Sequence, residues 1–226
     1  MAYIQITNRC NMTCEHCHIG CTAEGEDMTA ETFAKALEVS LDTDGDSIQI
    51  GGGEPTLHPL FWHFLIDAIA SDAEYVWLAT NGSITKTALK LAKLAKKGII
   101  GCALSQDCYH DPIDYEVVEA FTREDSQGMH STSAPEDGRE VRDVSEGYRS
   151  YGGKYVDPTL SLFRDPVEGG DAKHCFGGGA NIKPNGDVYI CGCRNSLKIG
   201  DIFNGFEIPE NEDGDRIDCY RELEEN

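Results

Sequence analysis

The chain has 226 residues, and 19 Lys and Arg against 40 Asp and Glu give a formal net charge of −21. This length suits one large domain, or one domain with a small addition. Nucleic acid and anionic lipid bind through clusters of basic residues, so a charge this negative excludes both as expected partners. Solubility or a salt-adapted host explains the charge, and a basic peptide substrate is the alternative. No apolar run approaches the roughly 18 residues of a membrane span, and no signal-peptide pattern is present. We therefore expect a cytoplasmic protein.

In chain order, the sequence predicts alternating strands and helices up to about residue 123. The predicted strands are 2–6, 47–50, 75–80 and 99–105, and the predicted helices are 29–41, 59–70, 85–97 and 112–123. This order is typical of an α/β protein with a parallel sheet or barrel, whose ligands bind at the carboxyl ends of the strands. Residues 124–170 predict no strong helix, so we expect an incomplete barrel. A small cysteine-bearing unit begins at His174, with a strand at 187–191 and a short charged helix or tail at 218–226.

Cysteine is the most informative residue type in the composition. The ten cysteines form one group near each end and a pair between them: Cys10, Cys14, Cys17, Cys21, Cys102, Cys108, Cys175, Cys191, Cys193 and Cys219. Disulfide-rich secreted domains are usually shorter and carry a signal peptide. In a cytoplasmic chain, grouped thiols indicate metal or iron–sulfur ligation more often than crosslinks.

The first group contains the spacing C-x3-C-x2-C, formed by Cys10, Cys14 and Cys17 directly after the first predicted strand. Three thiolates on one short loop can hold three irons of a cubane cluster and leave the fourth iron open to a ligand. Zinc is the competing hypothesis, with His16 or His18 as a fourth ligand.

A glycine element follows the second predicted strand. It consists of Gly51, Gly52, Gly53, Glu54 and Pro55. Glycines allow a ligand to approach the backbone closely, Glu54 offers a negative group to an ammonium, and Pro55 stiffens the turn. The element lies about 35 residues after the cysteine motif, at the end of the neighbouring strand, and the combination is far more specific than either motif alone.

With these two motifs the chain resembles the radical S-adenosylmethionine (SAM) superfamily over about residues 2–110. Further matches are Thr80-Asn81-Gly82 and Ser105-Gln106-Asp107, after the third and fourth strands. The resemblance implies a shortened (β/α) barrel and a [4Fe–4S] cluster whose free iron chelates SAM. It also implies an electron donor of the flavodoxin or ferredoxin type.

The resemblance also implies residues that bind the cofactor SAM. Gly52, Gly53 and Glu54 would hold the methionyl amine, and Ser105 would face the barrel interior. His16 stands where the family usually places an aromatic ring near the adenine. The remaining matching positions after the strands, which we also expect to bind SAM, are Thr80, Asn81 and Asp107.

Strand parity separates the two central cysteines. If Ser105 points inward, Ala103 and Gly101 do too, and Cys102 points toward the helices as a core thiol. Cys108 lies beyond the strand end, on the face where ligands bind, and is the candidate catalytic hydrogen or proton donor. A spare loop cysteine is the alternative for Cys108. Cys21 is expected to be a bystander near the cluster.

The second cysteine group resembles the opening of the SPASM extension of radical SAM enzymes. Cys175 is followed by ten residues, then Gly186, Cys191 and Cys193, and only Cys219 remains before the chain ends. This pattern matches the shorter Twitch variant, which implies an auxiliary [4Fe–4S] cluster on Cys175, Cys191, Cys193 and Cys219. A zinc site on the same residues is the alternative. The expected domains are a radical SAM core at 1–125, an irregular segment at 126–173 and a Twitch-like domain at 174–226.

The expected function is a radical SAM enzyme that abstracts hydrogen from a peptide or protein. Nine residues precede Cys10, so the leader of a precursor peptide would be read by the barrel mouth, by residues 124–170 or by a separate peptide-recognition protein. Two alternatives stay open: a radical SAM enzyme for a small molecule or nucleotide, and a non-catalytic zinc or iron–sulfur module.

Overall fold

The computed structural model describes residues 2–14, 17, 19–44, 47–123, 136–142, 178–192 and 196–210. These ranges contain nine strands and four α-helices. The helices are α1 (Ala30–Asp44), α2 (Phe61–Ile69), α3 (Thr85–Lys96) and α4 (Tyr115–Phe121). The strands are β1 (Ala2–Thr7), β2 (Ser47–Gly52), β3 (Tyr75–Thr80), β4 (Gly101–Ser105), β5 (Arg139–Arg142), β6 (Gly178–Ile182), β7 (Asp187–Cys191), β8 (Lys198–Asp201) and β9 (Gly205–Phe206). A 3-10 turn at Pro55–Leu57 follows β2. No helix in these ranges is long and apolar enough to cross a bilayer.

All nine strands belong to one sheet, in the order β5-β4-β3-β2-β1-β6-β7-β8-β9. The pairs from β5 to β1 are parallel, and β6 adds to the other side of β1, also in parallel. From β6 onward the pairs are antiparallel. A mostly parallel α/β sheet is therefore confirmed. The strands of the cysteine-bearing unit continue the sheet through β1.

The structure adds β5, which lies in a stretch where the sequence predicted no regular element. Its sequence, Arg-Glu-Val-Arg, has a single apolar residue. Backbone hydrogen bonds to β4 define the strand, and Val141 alone packs against the core. A strand this short and polar leaves no hydrophobic pattern for prediction.

Local chemistry explains where the longer helices begin and end. The hydroxyl of Thr29 accepts the amide of Thr32 at 3.1 Å, which caps the start of α1. Gly98 follows α3 with φ of +67°, a conformation that glycine adopts without strain and that stops the helix. The helices α2 and α4 are shorter than predicted, because residues 58–60 form a turn before α2 and residues 111–114 precede α4 as coil.

The helices pack on one face of the parallel strands. The core there contains every second strand residue, including Ile4, Ile50, Leu78 and Leu104, and Cys102 is fully buried among them. The predicted parity of β4 is thus confirmed. The alternate residues form what we call the second face: Tyr3, Gln5, Gln49, Gly51, Tyr75, Trp77, Gly101, Ala103 and Ser105, with Glu140 and Arg142 in register on β5.

Candidate functional site

The cysteine loop leaves the carboxyl end of β1 and is anchored by backbone hydrogen bonds. The amide of Asn8 donates to Glu26 at 2.9 Å, and the amide of Cys10 donates to Thr22 at 2.7 Å. Cys10, Cys14 and Cys17 lie within this loop, and each is of intermediate exposure. The end of the first parallel strand therefore presents three thiols together at the edge where ligands bind.

Hydrogen-bond donors point at two of these sulfurs. The Cys10 Sγ accepts the amide of Met12 at 3.5 Å and Nδ2 of Asn81 at 3.9 Å, and the Cys17 Sγ accepts the amide of Gly20 at 3.3 Å. Such donors suit sulfurs that carry negative charge, as cluster ligands do.

The ionisation of the thiols also fits a cationic ligand. Burial, together with the nearby Cys10 and Cys17, raises the pKa of Cys14 to about 12. A hydrogen bond from Cys21 is the largest cause that lowers the pKa of Cys17 to about 5. The three thiolates therefore repel one another unless a positive group lies between them. Cys21, expected from the sequence to be a bystander, is a direct neighbour of Cys17.

A four-iron cluster takes one thiolate for each of three irons, so its ligands need not meet at one point. In the described ranges, no three His, Cys, Asp or Glu side chains converge on a single metal-ion position. The donor set of three cysteines with N–H···S bonds fits the cluster expected from the sequence.

The glycine element is held against β1 and the start of the cysteine loop by three consecutive amides. The amide of Gly52 donates to the hydroxyl of Tyr3 at 2.8 Å, that of Gly53 to the carbonyl of Thr7 at 3.0 Å, and that of Glu54 to the carbonyl of Arg9 at 2.8 Å. Phosphate-binding glycine loops turn their amides toward the ligand. Here the amides donate to β1 and to Arg9, so the element suits an ammonium group, which needs acceptors.

Close packing explains why glycine occupies these positions. A Cβ at Gly52 would lie 2.4 Å from the carbonyl oxygen of Thr7, and one at Gly53 would lie 2.3 Å from that of Arg9. The Cβ of Cys10 would be only 2.9 Å from the Gly53 Cβ. The glycine element and the cysteine loop are therefore in direct contact.

The carboxylate of Glu54, expected to meet an ammonium, faces donors of the protein. It is buried, with 1% of the residue exposed. Its Oε1 accepts from the amide and hydroxyl of Thr56, at 3.1 and 2.5 Å, and from the hydroxyl of Thr80 at 2.8 Å. Its Oε2 accepts the amide of Asn81 at 2.6 Å. Burial raises the pKa of Glu54, and these hydrogen bonds act in the opposite direction. Glu54 thus ties the glycine element to the end of β3.

Asn81 connects the end of β3 to the cysteine loop. Besides Cys10, its Nδ2 donates to Oδ1 of Asn11 at 3.1 Å, and its Oδ1 accepts the amide of Ser83 at 3.0 Å. Thr80 and Asn81, expected to bind the cofactor, therefore join the glycine element and the cysteine loop in one network.

Beyond β4, a turn carries the remaining expected residues. The side chain of Asp107 is buried, and its Oδ1 accepts the amide of Tyr109 at 2.9 Å and lies 2.8 Å from Nδ1 of His110. Asp107 also contributes to the raised pKa of Cys14, which places this turn near the cysteine loop. Cys108 is exposed on the same turn. Its catalytic role stays a prediction.

Arg142 has no motif around it that would indicate a functional role, and the structure places it on the second face. It is opposite Ser105 in the register of β4 and β5, and its Cζ lies 5.9 Å from the centre of the Trp77 ring. Burial lowers the pKa of Arg142. A guanidinium stacked on an indole gives this face a cation at the level of Ser105.

A cavity of about 340 Å³ lies beside the cysteine loop, between residues 19–26 and the turn that joins β6 to β7. The Lys183 Nζ donates to Oε1 of Gln5 at 2.8 Å and lies 5.4 Å from the centre of the Tyr189 ring. Cys21, Glu24 and Asp187 also line it. The volume is within the range of small-ligand pockets.

The expected auxiliary site is described only at Cys191, which ends β7. Cys191 is buried, and its amide donates to the Ser196 hydroxyl at 3.0 Å. His16 and the expected ligands Cys175, Cys193 and Cys219 lie outside the described residues.

Comparison with known proteins gives several relatives. The chain is 30% identical over 123 residues to the antilisterial bacteriocin subtilosin biosynthesis protein AlbA of Bacillus subtilis. This match covers 53% of this chain and 26% of that protein. It is 32% identical over 91 residues to 7-carboxy-7-deazaguanine synthase of Methanothermobacter thermautotrophicus, covering 38% of this chain and 34% of that protein. The matches to the four curated relatives cover 26–39% of the length of those proteins.

Solved structures show the same fold at low identity. The structure of anSMEcpe with bound AdoMet is 15% identical, with a TM-score of 0.55, and the match covers 91% of this chain and 78% of that one.

The family model of the radical SAM superfamily matches residues 4–126, which are 123 of the 226 residues and include the cysteine motif and the glycine element. Members of this family are enzymes that use a [4Fe–4S] cluster and SAM, which confirms the expected enzyme class and both cofactors. The chain belongs to the radical SAM superfamily.

Proposed function

We propose that this chain binds a [4Fe–4S] cluster through Cys10, Cys14 and Cys17 and removes a hydrogen atom from a peptide substrate. One observation carries the proposal. Three consecutive amides of the glycine element bond to β1 and to Arg9 of the cysteine loop that follows it, so the two motifs form one unit. When bound to the reduced cluster, SAM supplies a 5′-deoxyadenosyl radical that takes a hydrogen atom from an unactivated carbon.

The residues around this unit receive distinct roles. The backbone acceptors of Gly52 and Gly53 bind the methionyl ammonium of SAM, and Glu54 holds them in place through Thr80 and Asn81. Ser105 and Arg142 offer a hydroxyl and a cation to the polar groups of the bound ligand from paired positions of the second face. We retain His16 and Asp107 as further SAM-binding residues and Cys108 as a hydrogen or proton donor.

A peptide is the favoured substrate because of the Bacillus subtilis relative. That protein is named for bacteriocin biosynthesis, and bacteriocins are antibacterial peptides. The net charge of −21 favours a basic peptide. The cavity beside the cysteine loop provides room for a ligand, and its lining includes Glu24 and Glu26, which suit a basic group.

A small-molecule substrate is the second candidate. Two other relatives, 7-carboxy-7-deazaguanine synthase and a probable GTP 3′,8-cyclase of Methanococcus maripaludis, are named for reactions of small molecules. They cover 38% and 52% of this chain, against 53% for the bacteriocin relative.

For the remainder of the chain we propose a Twitch-like domain at 174–226, with an auxiliary [4Fe–4S] cluster on Cys175, Cys191, Cys193 and Cys219. The core would then occupy 1–125 as a shortened barrel, and residues 126–173 would complete or cover it. An electron donor of the flavodoxin or ferredoxin type would reduce the protein, and a separate protein would recognise a precursor peptide.

The experiment is anaerobic reconstitution with iron and sulfide, followed by SAM and a chemical reductant, with 5′-deoxyadenosine as the product measured. We expect a brown protein that forms 5′-deoxyadenosine, and a Cys10→Ala, Cys14→Ala, Cys17→Ala triple variant that forms none. Undiminished turnover in the triple variant would refute the assignment of the cluster ligands. A colourless zinc protein would support the non-catalytic module instead.

The substrate class is tested with an extract of cells grown on deuterium, divided into a polypeptide fraction and a small-molecule fraction. Hydrogen abstraction transfers deuterium from the substrate to 5′-deoxyadenosine, which mass spectrometry detects. We expect labelled product from the polypeptide fraction. Label from the small-molecule fraction alone would favour the second candidate.

A further inference from the structure

Tyr3 reaches the glycine element from the start of β1. Its hydroxyl oxygen accepts the amide hydrogen of Gly52 at 2.8 Å. The missing side chain of Gly51 makes room for this contact, because a Cβ there would lie 2.0 Å from the hydroxyl oxygen. The ring therefore lies across Gly51 and ends at the first amide of the element.

Of the three amides that β1 and Arg9 hold, that of Gly52 is the one bound by a side chain. The amides of Gly53 and Glu54 donate to backbone carbonyls, which a substitution does not remove. The φ of Gly52 is +151°, within the range that favours glycine, and a glycine peptide group rotates easily once it loses its partner. Such rotation would direct a donor into the space where an ammonium needs acceptors.

We propose that Tyr3 is a positioning residue for SAM, whose hydroxyl keeps the Gly52 amide turned toward β1 and away from the methionyl ammonium group. The inference rests on the proposed function, since it takes SAM as the ligand of the glycine element. The hydrogen bond of the Tyr3 hydroxyl is to the Gly52 amide, so we expect its effect on SAM binding to pass through Gly52.

The test compares Tyr3→Phe with Tyr75→Phe, which is a matched control. Tyr75 is also on the second face. Its hydroxyl lies against Gly101 in the way that the Tyr3 hydroxyl lies against Gly51, because a Cβ at Gly101 would be 1.8 Å from the Tyr75 hydroxyl oxygen. Amide hydrogen exchange at Gly52 is measured without SAM. The dissociation constant for SAM is measured by equilibrium dialysis on reconstituted protein, with iron content and melting temperature recorded for each variant.

We expect faster exchange at Gly52 and about three- to tenfold weaker SAM binding in Tyr3→Phe, as for a buried donor that loses its acceptor. Iron content is expected to stay at the wild-type level, and Tyr75→Phe is expected to match wild type in both measurements. A second variant, Gly51→Ala, displaces the ring by its added Cβ and is expected to weaken SAM binding in the same way.

Equal SAM dissociation constants in Tyr3→Phe and wild type would overturn the inference, as would an equal loss in Tyr75→Phe. If Tyr3→Phe does not fold, the decision passes to Gly51→Ala, and unchanged binding there overturns it as well. A wild-type protein that neither binds nor cleaves SAM refutes the proposed function, and the inference with it. Because that result is obtained with the wild type and needs no variant, a failure of the proposed function is distinguishable from a failure of the inference about Tyr3.

Discussion

Replacing Glu54 with glutamine tests whether this carboxylate holds the site together. Glutamine keeps the shape of the side chain but has one acceptor oxygen in place of two. If the glutamine oxygen takes the Oε1 position, the new NH2 group faces the amide of Asn81, which donates to Oε2 at 2.6 Å in the wild type. In the other orientation, the NH2 group faces the three donors from Thr56 and Thr80. Either way, a buried donor is left opposite another donor.

The energetic cost follows from these contacts. Losing a hydrogen bond to a charged group in a buried site costs about 1.5–3 kcal/mol. The remaining bonds change from charge-assisted to neutral, which adds about 1 kcal/mol. We therefore expect Glu54→Gln to lower the free energy of unfolding by about 2–4 kcal/mol. Since Glu54 joins the glycine element to β3, we expect SAM binding to weaken by about tenfold, with less effect on iron content.

Urea unfolding of the protein and equilibrium dialysis with SAM measure the two effects. The control is Glu119→Gln, an exposed glutamate of α4, for which we expect a change within about 0.5 kcal/mol and wild-type SAM binding. If Glu54→Gln unfolds like the control and binds SAM like wild type, then the four hydrogen bonds do not hold the site and the proposed role is wrong.

Three further predictions concern other parts of the site. Gly53→Ala places a Cβ 2.3 Å from the carbonyl oxygen of Arg9 and 2.9 Å from the Cβ of Cys10, so we expect a loss of about 1–3 kcal/mol in stability and less bound iron. Iron analysis compares it with Gly205→Ala, where the φ of +102° strains the backbone but the added Cβ meets nothing within 4 Å, so we expect lower stability with wild-type iron content. Burial raises the pKa of Asp27, but the hydrogen bonds from Thr7 and Arg9 outweigh it and hold the pKa below its ordinary value of 3.8. The wild type should therefore be more stable than Asp27→Asn by about 1 kcal/mol or less above pH 4, and this difference should disappear as the pH falls through the pKa of folded Asp27; a difference that grows toward acid pH contradicts the assignment. If the auxiliary site is a cubane, Cys191→Ala should reduce iron from about eight to about four atoms per chain and expose residues 174–226 to proteolysis. Unchanged iron content and unchanged protease resistance would argue against that site. One zinc with about four irons in the wild type would support the zinc alternative.

The motifs and most of the first half of the fold can be predicted from the order of the residues. The spacing of Cys10, Cys14 and Cys17 is a local property, because a loop of eight residues brings its own thiols together whatever surrounds it. Hydrophobic periodicity predicted four strands and four helices in the correct order, and the alternation along β4 placed Cys102 in the core. These features depend on neighbours in the chain, which a sequence displays directly.

Contacts between residues far apart in the chain could not be predicted in this way and are seen in the folded structure. The pairing of β6 with β1 and of β5 with β4 arises from backbone hydrogen bonds, which carry no side-chain signal in a short or polar strand. The sequence likewise indicated an ammonium partner for Glu54, whereas its carboxylate is bound by Thr56, Thr80 and Asn81. The contact of Tyr3 with Gly52 joins residues 49 positions apart. Such contacts are fixed by the register of neighbouring strands, and that register exists only once the sheet has formed.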